Sequence, residues 1–229
     1  MTSLHADTIN FLTLIAENNT RHFFGIIKPL YEQVREQLIQ FAVDYINQLR
    51  TIDDSLSEDI APKKCLFRIY RDARRLKEGD PVYKINFGLF VWPDGKNDSR
   101  AGHYIHIQPG QSFFGGGVYW PTSEELLNLR HYLSKYGKQY LALTSDKKFV
   151  KLFGKVQWAS TTKLPRWFDN QTPYLDLVKQ KQHLIYHHFT DKQVLDKGFM
   201  KKILECSQVA TPRFQFLNKG YSYTARKKD

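Results

Sequence analysis

A few cationic residues stand in segments of the sequence where apolar and polar residues otherwise alternate. Arg68, Arg71 and Lys84 are the first of them. If the two segments pair as antiparallel strands, Arg68 and Lys84 lie on one face of a sheet. A guanidinium forms paired hydrogen bonds to phosphate or carboxylate, and an ammonium adds a point charge. The spacing therefore predicts an anion pocket, and the alternative is an ion-pair network in which an arginine binds Asp72.

Four further side chains complete the predicted ligand-binding pocket. We expect Asn86 and His106 to orient the ligand, and Tyr104 and Trp120 to form its walls. Imidazole titrates near neutral pH, so His106 is also the candidate general base. The alternative is a sheet histidine that is held by hydrogen bonds. These residues predict binding of a ligand and leave the existence of a reaction open.

Three consecutive glycines, Gly115-Gly116-Gly117, let backbone N–H groups come close to a phosphate. Neither G-x-x-x-x-G-K-[ST] nor G-x-G-x-x-G surrounds them, and the chain continues as a strand rather than opening a helix. We therefore expect a bulge or a close backbone crossing at this run.

The spacing of the histidines argues against a metal centre. His103 and His106 are three positions apart, so they face opposite sides of a strand, and the adjacent His187 and His188 also diverge. No H-E-x-x-H motif accompanies them. We expect neither a metal site nor a cofactor.

The charge of the chain is strongly asymmetric. Its 229 residues have a net charge of +11. Residues 1–61 carry 4 basic and 9 acidic side chains, and residues 62–229 carry 30 and 14. This balance indicates either a solvated lysine surface with an internal acidic–basic contact, or a surface for nucleic acid, phosphorylated metabolites or anionic lipid.

Two cysteines, Cys65 and Cys206, are too few for a disulfide framework, and we expect both to be packed in apolar surroundings. The first residues lack the basic and apolar regions of a signal peptide. No apolar run approaches the roughly 20 residues of a membrane span. These features predict a cytoplasmic protein without a membrane segment.

The elements that must position these residues form an α+β fold. Segments of period two predict a central, largely antiparallel sheet of about five strands, because the connecting loops are mostly short. The predicted strands are Cys65–Tyr70, Tyr83–Val91, His103–Gln108, Phe113–Trp120 and His183–Phe189.

Helical periodicity predicts helices on both sides of this sheet in the sequence. Asp7 or Thr8 caps the first helix, and Pro29 occupies the first turn of a second, which runs to Leu49. Thr122 and Glu125 form a capping box. We predict a single domain over residues 1–223, helical in 1–61, with a sheet core in 62–120 and mixed structure in 121–218. Residues 224–229 form a basic tail that we expect to be disordered.

Three stretches together carry a family resemblance. They are Phe67-Arg68-Ile69-Tyr70-Arg71-Asp72 leading to Tyr83-Lys84-Ile85-Asn86-Phe87-Gly88; Ala101-Gly102-His103-Tyr104-Ile105-His106-Ile107-Gln108-Pro109-Gly110; and Ser112-Phe113-Phe114-Gly115-Gly116-Gly117-Val118-Tyr119-Trp120. They resemble domain of unknown function 2461, whose pattern runs F-R-I-Y-R-D, P-Y-K-T-N-F-G, A-G-Y-Y-L-H-I-x-P-G and S-x-x-G-G-G-x-W. The resemblance covers most of residues 8–218. It implies a cytoplasmic α+β protein of bacterial type, and it supplies no catalytic residues.

Three functions remain open at this point. The first is binding of a small anionic, phosphorylated ligand in the sheet-face pocket, with or without a reaction. The second is binding of nucleic acid by the basic part of the chain. The third is non-enzymatic binding of a protein partner through the long helix or the acidic loop at residues 53–59.

Overall fold

Capping side chains set the start of most long helices in the computed structural model, which describes residues 3–95, 100–156, 160–161, 163–164, 168 and 171–223. Thr122 forms the predicted capping box with Glu125. The elements in chain order are α1 Ala6–Glu17, α2 Arg21–Leu49, α3 Pro62–Cys65, β1 Phe87–Val91, β2 His103–Ile107, β3 Ser112–Val118, α4 Ser123–Thr144, α5 Lys147–Phe153, α6 Leu175–Val178, β4 His183–Phe189, α7 Asp191–Val194 and α8 Phe199–Tyr221.

Helix α2 begins earlier than the sequence pattern predicts. Thr20 accepts a hydrogen bond from the Phe23 amide and caps the helix, so Pro29 lies inside it rather than in its first turn. The placement predicted for Pro29 is therefore wrong. Threonine is a preferred N-cap residue, and the helix that Thr20 caps continues through Pro29.

The sheet has four antiparallel strands in the order β1-β2-β3-β4. Phe87 pairs with Ile107, Ile105 with Phe114, and Val118 with His183. The antiparallel α+β fold is as predicted, and the order along the sheet follows the order along the chain. Neighbouring strands therefore place alternate side chains in common rows on each face.

The predicted strand at Cys65–Tyr70 is not formed, which reduces the expected five strands to four. Cys65 ends α3, and the following residues make only single bridges, between Leu66 and Leu89 and between Tyr70 and Tyr83. The side-chain amide of Asn19 donates to the Tyr83 carbonyl at 3.1 Å and accepts from the Tyr83 amide at 2.8 Å. The amides of Arg71 and Lys84 donate to the carbonyls of Val82 and Ile69 on either side of the Tyr70–Tyr83 bridge, so the backbone groups of Tyr83 itself point away from this segment, toward Asn19.

One face of the sheet, the core face, is buried against helices. Its members include Leu89, Val91, Ile105 and Phe114. Helix α8 packs against β3 on this side.

The glycine run makes the close backbone approach that its composition predicts. A Cβ added at Gly116 would lie 2.2 Å from the carbonyl oxygen of Gly102. At Gly117, where φ is +117°, the added atom would lie 1.9 Å from the carbonyl oxygen of His183. The run therefore joins β3 closely to its neighbours.

None of the described helices combines the length and the apolar character that a membrane crossing requires. The tail at residues 224–229, for which we predict disorder, lies outside the described residues.

Candidate functional site

The second face of the sheet, the open face, carries aromatic side chains that are only half buried. Alternate residues of the strands point to it: Phe90 from β1, Tyr104 and His106 from β2, Phe113 from β3 and Tyr186 from β4. Together with neighbouring residues they line a cavity of about 590 Å³. We call it the aromatic groove, defined by Phe67, Phe90, Trp92, Arg100, Tyr104, His106, Phe113, Tyr119, Trp120 and Tyr186.

Stacked and tilted rings form the floor of the aromatic groove. The rings of His106 and Phe113 are parallel within 11°, with centroids 4.6 Å apart. Tyr104 lies next to this stack, with its centroid 5.7 Å from that of Phe113. Gly88 allows Phe67 to cover the same face, because a Cβ at Gly88 would lie 2.9 Å from the Phe67 ring. The floor is therefore a continuous set of ring contacts, in which only His106 and Phe113 are parallel.

A hydrogen-bond chain fixes His106 in one orientation. Gln108 donates from Nε2 to Gln111, so its Oε1 accepts from His106 Nε2 at 2.9 Å. The other ring nitrogen, Nδ1, is then an acceptor and receives the Tyr104 hydroxyl at 3.0 Å. Asn86 Nδ2 lies 3.5 Å from the same nitrogen. These hydrogen bonds connect Asn86, Tyr104 and His106 into one polar unit, which is surrounded by the aromatic rings of the open face.

Burial holds this unit in its neutral form. It lowers the pKa of His106, although the bond to Gln108 acts in the opposite direction. Burial, together with the nearby Tyr186, raises the pKa of Tyr104 to about 12. At neutral pH the open face therefore presents a neutral imidazole and a neutral phenol. Both nitrogens of His106 have protein partners, so this geometry leaves neither of them free to abstract a proton.

Of the three predicted cations, Lys84 lies beside the aromatic groove, and Arg68 and Arg71 are close enough to act on its charge; none of the three lines the cavity. The Nζ atom of Lys84 is 5.5 Å from the centroid of the Phe67 ring. Burial lowers the pKa of Lys84, and the charges of Arg68 and Arg71 lower it further. Arg71 donates from Nε to the Tyr83 carbonyl at 3.2 Å. The cluster therefore combines mutual repulsion with partial desolvation of one ammonium.

The alternative prediction was an ion pair between one of these arginines and Asp72, but Asp72 forms its ion pair with Arg74. Asp72 binds Arg74, with Nη2 of the arginine 2.8 Å from the carboxylate. Arg68 acts on Asp72 only through its charge, as a small contribution to the lowered pKa of the carboxyl group.

Two exposed aromatic residues stand at the mouth of the aromatic groove. Trp120 is 76% exposed and Tyr119 is 56% exposed, and their rings meet edge to face. Arg100, which forms an ion pair with Asp94, also lines the cavity. An indole that is this exposed beside a cavity is available to stack on a ligand.

The structure brings together Asn86, His106 and Tyr104, as the sequence spacing predicts, with Trp120 in the same cavity. The three predicted cations lie outside the strands of the sheet, and of them Lys84 contacts the Phe67 ring. Sequence reasoning missed the aromatic residues Phe67, Phe90, Trp92, Phe113 and Tyr186, and it missed Arg100. Part of the signal was present, because Phe90 and Phe113 are large apolar residues at outward-facing strand positions.

Within the described part of the chain, no group of three or more histidine, cysteine, aspartate or glutamate side chains is placed to hold a metal ion. The ligand-binding chemistry offered by the site is stacking, hydrogen bonding by neutral groups and attraction of an anion at its edge.

Comparison with known proteins places the chain in a family. A search of curated proteins finds no match to it. A family model described as "Conserved hypothetical protein (DUF2461)" matches residues 7–216. This range includes every element that lines the aromatic groove, and it extends into α8. The chain therefore belongs to the DUF2461 family.

Proposed function

We propose that the aromatic groove binds a small phosphorylated ligand that also carries a planar ring. The observation that supports this most directly is the half-buried aromatic floor with cations at its edge. An aromatic surface of this kind is costly to leave in water unless something covers it.

The planar part of the ligand is expected to stack on the floor. Phe113 and His106 already stack on each other, and Tyr104 and Trp120 offer further ring faces. Stacking of a base on an aromatic side chain contributes about 1–3 kcal/mol. A ring on the ligand therefore matters more to affinity than its sugar or linker.

The anionic part is expected to lie near Lys84, with Arg68 and Arg71 outside it. Burial first, and then repulsion by Arg68 and Arg71, lowers the pKa of Lys84, so an anion at this place would favour the ammonium form. Asp72, the acid nearest to them in the sequence, is already bound to Arg74. Phosphate, with up to two negative charges near pH 7, offsets the positive charge of these residues better than a carboxylate does.

Asn86 and His106 are expected to orient the ligand between these two parts. Tyr104 and Gln108 hold His106, and Asn86 Nδ2 lies 3.5 Å from His106 Nδ1, so little side-chain entropy is lost on binding. The neutral state of His106 allows it to face an aromatic ring without repelling Lys84.

The test is a thermal-shift and tryptophan-fluorescence titration with AMP, adenosine, ribose 5-phosphate and inorganic phosphate. We expect AMP to bind most tightly, because only AMP has both parts. Lys84→Met and Trp120→Ala are each expected to weaken AMP binding roughly tenfold.

Lys77→Met is the matched control for Lys84→Met, because Lys77 is exposed, whereas Lys84 is half buried against the Phe67 ring of the groove. Equal AMP affinity in the Lys84 and Lys77 variants would refute the placement of the anion. No stabilisation of the protein by any of the four compounds would refute the proposal as a whole.

Single-stranded nucleic acid is the second candidate ligand for the same face. Aromatic rings on three neighbouring strands and a net charge of +11 both favour it. Binding of an oligonucleotide that falls steeply with salt concentration, with no binding of AMP, would select this candidate.

A further inference from the structure

A second cavity, of about 990 Å³, lies between α4, α5 and α8. It is distinct from the aromatic groove, and none of its lining residues is shared with that site. We call it the helical groove, defined here by Phe149, Leu152, Val209, Arg213, Phe216 and Lys219. The wall of the groove is partly apolar, with side chains from α5 and α8, and partly cationic, with Arg213 and Lys219.

Arg213, at this groove, is a buried cation that lacks a counterion. Its exposed fraction is 0%. Its Nε and Nη2 atoms donate to the Tyr140 hydroxyl oxygen at 3.2 and 2.9 Å, whereas Nη1 has no hydrogen-bond partner. Among the described residues, no carboxylate forms an ion pair with Arg213.

The surroundings of Arg213 on the sheet side supply no negative charge. Tyr140 uses its proton to donate to His183 Nδ1 at 3.2 Å. Burial, followed by the charges of Arg213 and Arg130, lowers the pKa of His183 to about 3, so this histidine is neutral. A guanidinium does not lose its proton in a protein, and an unpaired buried charge is strongly unfavourable.

The rim of the helical groove is also basic. Lys148, Lys151 and Lys219 line the cavity with Asp146 and Glu205, which leaves an excess of positive charge when Arg213 is included. Asp146 is already engaged as the cap of α5, where its carboxylate accepts from the Lys148 amide at 2.9 Å. Glu205 is the other acid of the lining, and among the described residues it forms no ion pair with Arg213.

We propose that the helical groove binds an organic anion with a carboxylate or phosphate head group and an apolar body. The head group would lie next to Arg213 and offset its uncompensated charge, and the lysines of the rim would attract it. The apolar body would pack on Phe149, Leu152 and Val209. An inorganic anion uses only the first of these contacts, and a neutral apolar molecule uses only the last.

Isothermal titration with octanoate, octyl phosphate, octanol and acetate tests both contacts on the intact chain. We expect either C8 anion to bind at least tenfold more tightly than octanol, a ratio that equals about 1.4 kcal/mol. Acetate is expected to bind more weakly than octanoate, because it has almost no apolar body. The relative affinities of octanoate and octyl phosphate identify the preferred head group. Equal affinity for octanoate and octanol would overturn the proposal, as would absence of octanoate binding.

Variants locate the head group. Arg213→Met is expected to remove the preference for octanoate over octanol. Because this change alters a buried residue, the double variant Lys151→Gln/Lys219→Gln provides an independent test that leaves the core intact. We expect it to weaken octanoate binding roughly threefold or more. Lys201→Gln, on α8 but outside the cavity lining, is the matched control. If the double variant and the control bind octanoate equally, the site is not the helical groove.

Discussion

On the core face of the sheet His103 and His183 are each 1% exposed, whereas His106, on the open face, is half buried. His103 bonds to the carboxylate of Asp53 at 3.2 Å, and His183 accepts from Tyr140. His106 bonds only to neutral side chains that belong to the same face or its edge. Histidines on the core face therefore bond to residues that are distant in the sequence, whereas His106 on the open face is held in place by its neighbours on that face.

The difference between the faces arises from what covers them. Helix α8 brings Arg213 and Gln215 toward the core face, and its aromatic residue Phe214 meets His103 edge to face at 5.0 Å. On the open face the ring neighbours of His106 are Tyr104 and Phe113, from the sheet itself. We infer that substitutions on the core face change stability and that substitutions on the open face change binding.

The largest expected contrast is between the neighbouring residues Phe114 and Phe113. Phe114 is fully buried on the core face, so Phe114→Ala should lower the free energy of unfolding by about 3–5 kcal/mol. Phe113 is half buried, so Phe113→Ala should lower it by only about 1 kcal/mol while weakening AMP binding. Urea denaturation measures both free energies. Equal losses of stability would contradict the division between the faces.

A second contrast concerns acid sensitivity. The folded pKa of His183 is lowered to about 3, below the ordinary value of 6.5 for an unfolded chain. The stability from this neutral histidine is therefore complete above pH 6.5 and is lost as the pH falls toward 3. Between pH 7 and 5 the loss should be about 2 kcal/mol. His183→Gln should remove this slope in urea denaturation curves, whereas His106→Gln should leave most of it in place.

Asp53 provides a smaller effect at lower pH. Burial raises the pKa of its carboxyl group, but hydrogen bonds from His103, Ser55 and Gln215 outweigh burial and bring it to about 2. Its contribution to stability is present above the unfolded pKa of 3.8 and is lost as the pH falls through 2. We expect a loss of about 2 kcal/mol over that range. Asp53→Asn should abolish it, and a wild-type slope in this variant between pH 4 and 2 would disprove the assignment.

Local signals predicted much of the fold. The capping box at Thr122 and the two-residue alternation in β2 depend only on neighbouring residues, and both are confirmed. The predicted strand at residues 65–70 is not formed: Cys65 ends α3, and the bridges of Leu66 to Leu89 and of Tyr70 to Tyr83 are single pairs, 23 and 13 positions apart in the sequence. Contacts of this separation leave no trace in local periodicity.

The two cavities also differ in how far the sequence predicts their residues. Asn86, Tyr104 and His106 were predictable because strand alternation alone brings outward-facing residues together. The sequence did not single out Arg213, because its environment depends on distant residues. Arg213 donates to Tyr140, which is 73 positions away in the sequence, and Tyr140 bonds to His183, which is 43 positions from Tyr140. A single arginine in a helical pattern is ordinarily a solvated residue.

The smallest expected effect on stability comes from Lys84→Met, and it tests the open face most sharply. Lys84 is half buried beside Phe67 and is repelled by Arg68 and Arg71, so its removal costs no ion pair in the described structure. Methionine retains an apolar chain that can lie on the Phe67 ring. We expect the free energy of unfolding to change by less than about 0.5 kcal/mol, while AMP affinity falls roughly tenfold. A loss of stability of 2 kcal/mol or more would instead show that Lys84 is a structural residue, and the open face would then resemble the core face in its function.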